Sequence, residues 1–547
     1  MRIRQGDERT GRLVTGDQLD VVFSFDHRGL NDTVAFGPSG AAGPVLASSA
    51  RPLPWLLADL AMATTPPGGV PSIAPPVTAS DTYVTCTGTL TLVPLEAAEA
   101  RPDSTEEALA TLVGAPVHLH DFAQGLEGRG DTIHYRSSDD RVDLVAGPQQ
   151  PVLVVAPDFR ATAPTFWSSR ARGIGGMGGP GIIVGVAPAP DLPAGRAGTD
   201  AMMRAWARTV TAGQAAPDAG TPIDPTIDET LRITWTQGVD LTFGPKSDPK
   251  GSDRLREAVF RGDVDVSSPD FHLDAATMTV GFAPSATDDN AIDRILAEGD
   301  VVATNLGDAG RIDCRTLELR LVDIDGTQAP DTMIAIGGVV ATDATQTMWT
   351  EHLTVTFDPA PADEDATPAP DAPGTPGLRR VNARTVLAEG DVQVLLPKGE
   401  RVFADRLDGD VAGGRAELTG GEVIIVRDNV LFDKGTKVIL VDKAIDEVRT
   451  QTAHWDGPGQ FRVFTKSIQA PTRDRIERPA VEDALRDLEP EARIRWDESM
   501  FFDGAYNGGN GYVDFRGNVD GRSDPSPLEH RTLKAKTLTL ELERVAE

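Results

Sequence analysis

Leu387-Ala-Glu-Gly-Asp-Val-Gln-Val394 opens with apolar residues, passes through a Gly-Asp pair and ends in alternating valines. A turn follows, and Val402-Phe-Ala-Asp-Arg-Leu407 continues the alternation of apolar and polar residues. Alternation with a period of two predicts strands that bury one face. A glycine inside such a pattern indicates a bulge or a bend, because glycine tolerates positive φ and close backbone approach. This stretch therefore predicts two paired strands, the first of them bent at Gly390.

The same two-strand unit recurs along the chain as a degenerate repeat. Its other copies are 260–266 with 271–280, 296–302 with 312–319, 336–340 with 349–355, 418–425 with 437–441, and 515–519 with 533–540. The period drifts, since 37 residues separate Gly262 from Gly299 and 39 separate Gly299 from Gly338. A two-strand unit cannot bury its own apolar face, so neighbouring units must stack. We predict an all-β protein of stacked strands that bend together at the repeated glycine.

The composition excludes several classes of protein. Of the 547 residues 40% are hydrophobic, which is enough to form a core and argues against disorder. The formal charge of −31 repels phosphate backbones, so we expect no nucleic acid as a partner. With only two cysteines, Cys86 and Cys314, the chain has neither a disulfide framework nor a cysteine-based zinc site. It also lacks a run of about 18 apolar residues, as a membrane-spanning helix would need.

Proline-rich segments divide the chain. They lie at 63–80, 187–225 and 357–377, where proline is too frequent for a sheet. We therefore predict β-rich segments at 1–186, with 63–80 as an insert, at 226–356 and at 378–547. Short helices are predicted at 104–112, 199–210 and 478–487. The first residues lack the apolar core of a signal peptide, which fits a cytoplasmic protein or a chain that begins inside a longer one.

Other patterns in the sequence lack the partners that a site needs. His118 and His120 share a strand face, but no third metal ligand follows by spacing. The glycine-rich stretch 172–184 leads into Pro180 and a β-branched run, which favours a loop or an edge bend over a phosphate cradle. The acidic clusters at 288–290 and 363–365 lack the spacing of a calcium loop. The seven tryptophans are scattered, which favours core filling. We predict no catalytic residue, no metal site and no cofactor.

The repeat resembles that of the OstA-like (LptA-like) proteins of lipopolysaccharide transport. The similarity is greatest in Val386-Leu-Ala-Glu-Gly-Asp-Val-Gln-Val394 and in the stretches 402–407 and 416–425. It extends over most of 255–450 and more faintly over 120–170 and 510–545. Membership would imply a β-jellyroll (β-taco) in the periplasm or cell envelope, whose groove carries the acyl chains of lipopolysaccharide between membranes. It would also imply other lipopolysaccharide-transport proteins as partners, or self-association through edge strands.

The groove of such a protein would be lined by apolar residues from one face of the strands. In the best-matching repeat the candidates are Val392, Val394, Phe403, Leu407, Val423, Ile425, Val438 and Leu440. The alternation places Asp391 and Gln393 on the opposite, solvent-facing side. The same apolar residues fit a sealed core equally well. The alternative is therefore a structural or adhesive β-solenoid at the cell surface, and a polysaccharide-active β-helix enzyme is disfavoured because regular coils of about 20–25 residues are absent.

Overall fold

The computed structural model is all β, with 84% of the described residues in strands. Within the described ranges no helix is long and apolar enough to cross a membrane. The ranges described are 2–5, 12–15, 19–24, 34–36, 45–47, 81–86, 89–94, 108–121, 126–136, 139, 141–148, 150–156, 159–169, 171–186, 229–244, 255–268, 271–283, 291–305, 310–324, 327–359, 381–397, 399–445, 448–465, 475–476, 490–506, 511–526 and 529–541.

The chain forms two compact units. Unit 1 comprises Met1–Pro269, Thr277–Ala283 and Gly374–Pro376, and unit 2 comprises Asp270–Ala276, Pro284–Pro373 and Gly377–Glu547. The strands of unit 1 are β1 (Arg2–Gln5), β2 (Arg12–Thr15), β3 (Leu19–Ser24), β4 (Val34–Phe36), β5 (Val45–Ala47), β6 (Asp81–Cys86), β7 (Thr89–Pro94), β8 (Ala108–Asp121), β9 (Leu126–Arg136), β10 (Arg141–Val145), β11 (Val152–Val155), β12 (Phe159–Ala163), β13 (Thr165–Ser169), β14 (Ile174–Gly178), β15 (Gly181–Val186), β16 (Glu229–Trp235), β17 (Gly238–Phe243) and β18 (Leu255–Ser267).

Strand β19 (Phe271–Ala283) contributes residues to both units. The strands of unit 2 are β20 (Ala291–Asn305), β21 (Gly310–Ile324), β22 (Thr327–Thr342), β23 (Thr347–Pro359), β24 (Val381–Leu395), β25 (Arg401–Asp410), β26 (Arg415–Arg427), β27 (Val430–Ile445), β28 (Val448–Asp456), β29 (Gly459–Val463), β30 (Ala492–Trp496), β31 (Ser499–Asp503), β32 (Tyr512–Ser526) and β33 (Glu529–Glu541). From β20 to β28, each strand pairs antiparallel with the next.

The long strands of unit 2 bend at the glycine of the repeat. Both residues of Gly390–Asp391 have positive φ, at 85° and 48°, and the same holds for Gly299–Asp300, Gly337–Gly338 and Gly517–Asn518. Each pair forms a β-bulge, in which two residues oppose one residue of the next strand. The opposing residues are Arg315, Glu351, Asp405 and Lys536. The bend divides each strand into two arms, and we call the arm with Ala388 of β24 arm A and the arm with Val392 arm B.

In unit 1 the strands between β9 and β18 are interrupted at the bend. β10, β13, β14 and β17 pair in succession to form one arm, and β11, β12, β15 and β16 form the other. The continuous strands β9 and β18 pair with both arms, so ten strands close into a ring. Prolines at three of the breaks, Pro148, Pro164 and Pro180, lack the N–H that a continuous ladder would use.

Unit 2 ends in a smaller ring of the same kind. β28 and β31 extend arm A, β29 and β30 extend arm B, and the bent strands β27 and β32 pair with both arms. Pro458 lies at the break between β28 and β29. The chain therefore turns the bend in two ways, by a Gly-Asp bulge in a continuous strand or by a break at proline.

The helix predicted at 104–112 is wrong from Ala108 onward, where β8 begins. Leu112 pairs with Ile133 of β9 and is 1% exposed, so strand pairing and burial override the helix propensity of the segment. The helices predicted at 199–210 and 478–487, the insert 63–80 and the segment 187–225 lie outside the described residues. The strands on either side of 187–225, β15 and β16, pair with each other. In the same way β23 pairs with β24 as far as Pro359 and Val381, at the ends of the acidic segment.

Candidate functional site

One face of unit 2 carries an unbroken row of apolar residues beside the bend. Its members oppose one another directly in the register of twelve successive strands on arm A, so their side chains lie on one face. We call this the floor row: Ala297, Leu317, Ala335, Leu353, Ala388, Leu407, Leu418, Val438, Trp455, Met500, Phe515 and Leu538. Ten of the twelve are buried, which makes the floor a sealed layer.

A second apolar row follows on arm A, two residues farther from the bend. We call it wall row A, and every member is again apolar over the same twelve strands. It consists of Ile295, Leu319, Met333, Val355, Val386, Gly409, Ala416, Leu440, Ala453, Phe502, Val513 and Leu540.

A third row, wall row B, runs along arm B on the other side of the bend. It consists of Ala303, Ile312, Ala341, Met348, Val394, Val402, Ile425, Phe432, Phe461, Ile494, Gly521 and Leu533. Ala388 and Val392, on the two sides of one bend, are both 0% exposed, so the arms fold toward the face that carries the three rows. We call the surface formed by the floor row and the two wall rows the apolar groove.

The walls of the groove are accessible where the floor is not. Of their twenty-four members seventeen are half-buried and Leu533 is exposed. Strands in a sheet are spaced by about 4.8 Å, so twelve strands give a groove about 50 Å long. Its surface therefore offers continuous apolar contact to a long hydrocarbon and no charged group.

The opposite face of arm A has the contrary character. The row on that face reads Glu298, Thr316, Ile336, His352, Glu389, Arg406, Thr419, Lys437, Asp456, Ser499, Arg516 and Thr537, with one apolar member. Glu389 forms ion pairs with both Arg406 and His352, and all three side chains are exposed. The apolar rows are thus a property of one face and not of the strands as a whole.

The structure separates the eight predicted groove residues into three groups. Val392, Val423 and Val438 are completely buried beside the bend, and Val394 is buried in wall row B. Leu407, Ile425 and Leu440 are half-buried and belong to the floor row, wall row B and wall row A. Phe403 lies on the other face, because it opposes Gln393 directly while Val392 and Val394 point the opposite way.

The position of Phe403 follows from the bulge at Gly390–Asp391. Asp405 alone opposes both Gly390 and Asp391, so the faces of β25 exchange at Asp405 and strict alternation fails across it. Gln393, expected to face solvent, is 2% exposed, and its Oε1 accepts a hydrogen bond of 3.0 Å from the backbone N–H of Ile476. The expected solvent exposure of Gln393 is therefore wrong.

The outer face of arm B has its own small core. Its members are Phe403, Ile424, Val426, Leu431 and Phe464, with Ile476 packed against them. Arg475, the neighbour of Ile476, binds Asp391 of the β24 bulge at 2.6 Å. The residues 475–476 are far from β24 in sequence, and no periodicity in β24 or β25 could have predicted that this segment covers them.

Sequence reasoning also missed most of the wall residues. Met333, Met348, Phe432, Phe461 and Phe502 line the two wall rows, although none of them lies in the best-matching repeat. These residues could have been predicted by counting positions along each strand from its bend. The second residue before and the first residue after a Gly-Asp pair point to the groove side, as Ala388 and Val392 do.

Cys314, on arm B, is a buried thiol without the environment of a nucleophile. It opposes Val301 beside the bend, and its Sγ donates to the carbonyl oxygen of Thr316 at 3.3 Å. Burial, with the charge of Asp313 as a smaller cause, raises the pKa of the Cys314 thiol to about 11. A reactive cysteine needs a lowered pKa, so this geometry favours a packing role.

No protein-family model matches the chain, and no curated protein matches it significantly in sequence. The resemblance to OstA-like proteins therefore stays a prediction that rests on the repeat alone.

Proposed function

We propose that this protein binds an amphipathic lipid of the lipopolysaccharide type along the apolar groove of unit 2, without performing chemistry on it. The observation that carries the proposal is the accessible apolar surface of wall rows A and B. Half-buried apolar side chains that continue over twelve strands are more than a folded core requires. A bound hydrocarbon would cover them and remove them from water.

The energetics suit acyl chains. Each buried methylene contributes about 0.8 kcal/mol, so twelve methylenes contribute roughly 10 kcal/mol before the costs of ordering the chain. Affinity of this kind is non-directional and tolerates sliding, because no hydrogen bond fixes the register of the ligand. A groove that holds acyl chains in this way can also conduct them.

Polar residues lie one step beyond the walls, where a headgroup would be. Arg427, two residues after Ile425, forms an ion pair of 2.8 Å with Glu400. On arm A, Asp442 and Gln451 oppose each other next to Leu440 and Ala453. An apolar interior with charged rims matches an amphipathic ligand better than a purely apolar one.

The periplasmic bridge is part of the same proposal, and strand β33 supports it. In the described part of the chain β33 pairs with β32 alone, so its other edge is unpaired. All three groove rows end on β33, at Leu533, Leu538 and Leu540. A strand of another transport protein, or of a second copy, that pairs with this edge would extend the groove into the next molecule. Lysines on β33 limit unspecific pairing.

The alternative is a structural or adhesive β-solenoid with a sealed core. The floor row fits it, since ten of its twelve members are buried and Ala335 and Ala388 are 0% exposed. The two functions differ in whether hydrocarbon reaches the wall rows.

Photo-crosslinking tests this difference. A benzophenone amino acid is placed at Leu440 in wall row A, and in a control variant at Ile439. Ile439 is its half-buried neighbour on the opposite face, where it opposes Glu417 and His454. Purified full-length protein is irradiated with lipopolysaccharide. We expect labelling at position 440 and none at position 439.

The outcomes separate the two functions. No labelling at either position, in protein with an intact β-sheet circular dichroism spectrum, overturns lipid binding and favours the sealed solenoid. Equal labelling at both positions indicates unspecific adsorption and also overturns the proposal.

A further inference from the structure

Three arginines stand directly opposite one another on the outer face of arm B. Arg462 of β29 pairs in register with Arg493 of β30, and Arg493 pairs with Arg522 of β32. Directly opposed residues have their Cβ atoms about 5 Å apart, and like charges in that position destabilise a sheet. This arrangement is unexpected in a chain with a net charge of −31.

Several arginines on other strands are neutralised on their own strand. They bind a carboxylate two residues away, as in the pairs Arg141–Asp143, Arg311–Asp313, Arg415–Glu417 and Arg516–Asp514. At the corresponding position Arg493 has another arginine, Arg495. Arg493 therefore has an arginine as its neighbour on three sides.

In the described part of the chain the neighbours of Arg493 have partners, and Arg493 has none. Arg462 donates to Asp433, whose carboxylate is almost fully buried, and Arg522 binds Asp524 at 2.7 Å. Arg495 donates to the Oε1 of Gln460 at 2.7 Å. Among the described residues Arg493 has no hydrogen bond or ion pair, and its Nε is buried without an acceptor. Glu491, two residues before it, forms no described ion pair with it.

A half-buried guanidinium without an acceptor loses hydration that nothing replaces. An oxyanion between the three side chains would remove the repulsion and accept hydrogen bonds from several guanidinium groups. Arginine binds phosphate in this way, because its planar fork matches two oxygens at once.

We propose that Arg462, Arg493 and Arg522 form a binding site for a phosphate-type oxyanion. The ligand is either a free phosphate compound or the phosphate of a lipid headgroup. The site lies on the face opposite the apolar groove, so it is independent of the proposed lipid binding.

Calorimetric titration of the full-length protein with inorganic phosphate tests the site. Arg493→Gln is the test variant, and Arg320→Gln, which removes an exposed partner of Glu318, is the matched control. We expect phosphate to bind the wild-type protein and Arg320→Gln equally, and Arg493→Gln at least about tenfold more weakly. In phosphate-free buffer of low ionic strength we expect Arg493→Gln to unfold at the same or a higher temperature than the wild-type protein, because repulsion is relieved.

Equal phosphate affinity of the wild-type protein and Arg493→Gln, or no binding by either, overturns the proposal. Flotation with phosphatidylcholine vesicles, with and without phosphatidic acid, distinguishes the two sources. Binding that requires phosphatidic acid and Arg493 indicates a headgroup, whereas phosphate binding without vesicle binding indicates a free compound. Crosslinking of lipopolysaccharide at Leu440 is expected to be unchanged in Arg493→Gln, so failure of one proposal leaves the other standing.

Discussion

Two parts of the molecule have the same local structure around a turn and a buried tryptophan. We call β14–β18 of unit 1 the first module and β28–β32 of unit 2 the second module. Each has a Gly-Pro-Gly turn directly after its first strand, 179–181 in the first and 457–459 in the second. Each then places a buried tryptophan against a phenylalanine two residues before the next bend. The ring centroids are 5.7 Å apart in Trp235–Phe260 and 5.1 Å apart in Trp496–Phe515.

The hydrogen bonds of the two modules also coincide. The indole N–H donates to the carbonyl of the first glycine of the turn, at 3.0 Å from Trp235 and 3.2 Å from Trp496. The residue after each tryptophan donates its backbone N–H to the glycine of the following bend at 2.7 Å. The match indicates one structural module used twice, with little sequence in common beyond its glycines, its proline and its aromatic pair.

The modules differ at one position of their cores. Met177 precedes the turn in the first module and Trp455 precedes it in the second, each two residues before the first glycine. Trp455 contacts Trp496 at 6.0 Å, nearly edge-on. The second module therefore has an aromatic contact at a position where the first has Met177. We expect the free energy of local unfolding to be higher in the second module.

Truncation of the tryptophans tests this difference and has the largest expected effect. We expect Trp235→Ala and Trp496→Ala each to cost about 3–5 kcal/mol of local stability, since a large buried ring is removed. Trp496→Ala should cost about 1 kcal/mol more, because it also removes the contact with Trp455. Hydrogen exchange read by mass spectrometry reports each module separately. An equal loss in both modules would contradict the role of Trp455.

The glycines beneath the tryptophans give the next largest effect. A Cβ at Gly181 would lie 2.4 Å from the ring of Trp235, and a Cβ at Gly459 would lie 2.3 Å from the ring of Trp496. We expect Gly181→Ala and Gly459→Ala each to cost about 1–3 kcal/mol by overpacking, measured by the same hydrogen exchange. Gly310→Ala is the control, since nothing lies within 4 Å of a Cβ there. A cost at Gly310 equal to that at Gly459 would show that close approach is not the cause.

The sequence was sufficient to predict the features that recur in every repeat, and insufficient to predict features that occur at single places in the fold. The period-two pattern predicted the strands, and the glycine before Asp391 predicted the bend, because both depend on local backbone chemistry. The Gly-Pro-Gly turn at 179–181 was consistent with an edge bend in the sequence. The copy at 457–459 was not predicted from the sequence, because the pattern that the two turns share depends on Trp235 and Trp496, and these follow the turns at different distances along the chain.

The candidate site was predictable only in part. Seven of the eight predicted residues lie on the groove side of the sheet, but alternation alone placed Phe403 there as well. The faces of β25 reverse at Asp405 because this residue alone opposes both residues of the Gly390–Asp391 bulge. Which residue of β25 opposes the bulge is a property of the pairing of two strands, and a count along β25 alone does not contain it. Burial of Gln393 likewise depends on Ile476, more than eighty residues away in sequence.

The smallest expected effect concerns the second residue of the bend, which is Asp263 in the first module and Asn518 in the second. Asp263 and Asn518 have φ of 41° and 43°, a region that costs a residue with a Cβ about 1–2 kcal/mol. Asp and Asn offset part of that cost by local hydrogen bonds, and alanine cannot. We therefore expect Asp263→Ala and Asn518→Ala each to lose about 1 kcal/mol, and the glycine variants to lose almost nothing at Asp263.

Asn518→Gly should lose slightly more than Asp263→Gly. Its Nδ2 donates to Asp497 at 3.0 Å, whereas Asp263 accepts from Thr236 at the longer distance of 3.4 Å. Hydrogen exchange at the strands next to each bend measures both variants. If alanine and glycine destabilise each position equally, the contacts of the polar side chain and not the positive φ determine the residue there. The two modules would then have the same backbone conformation at the bend, stabilised in each by different side-chain contacts.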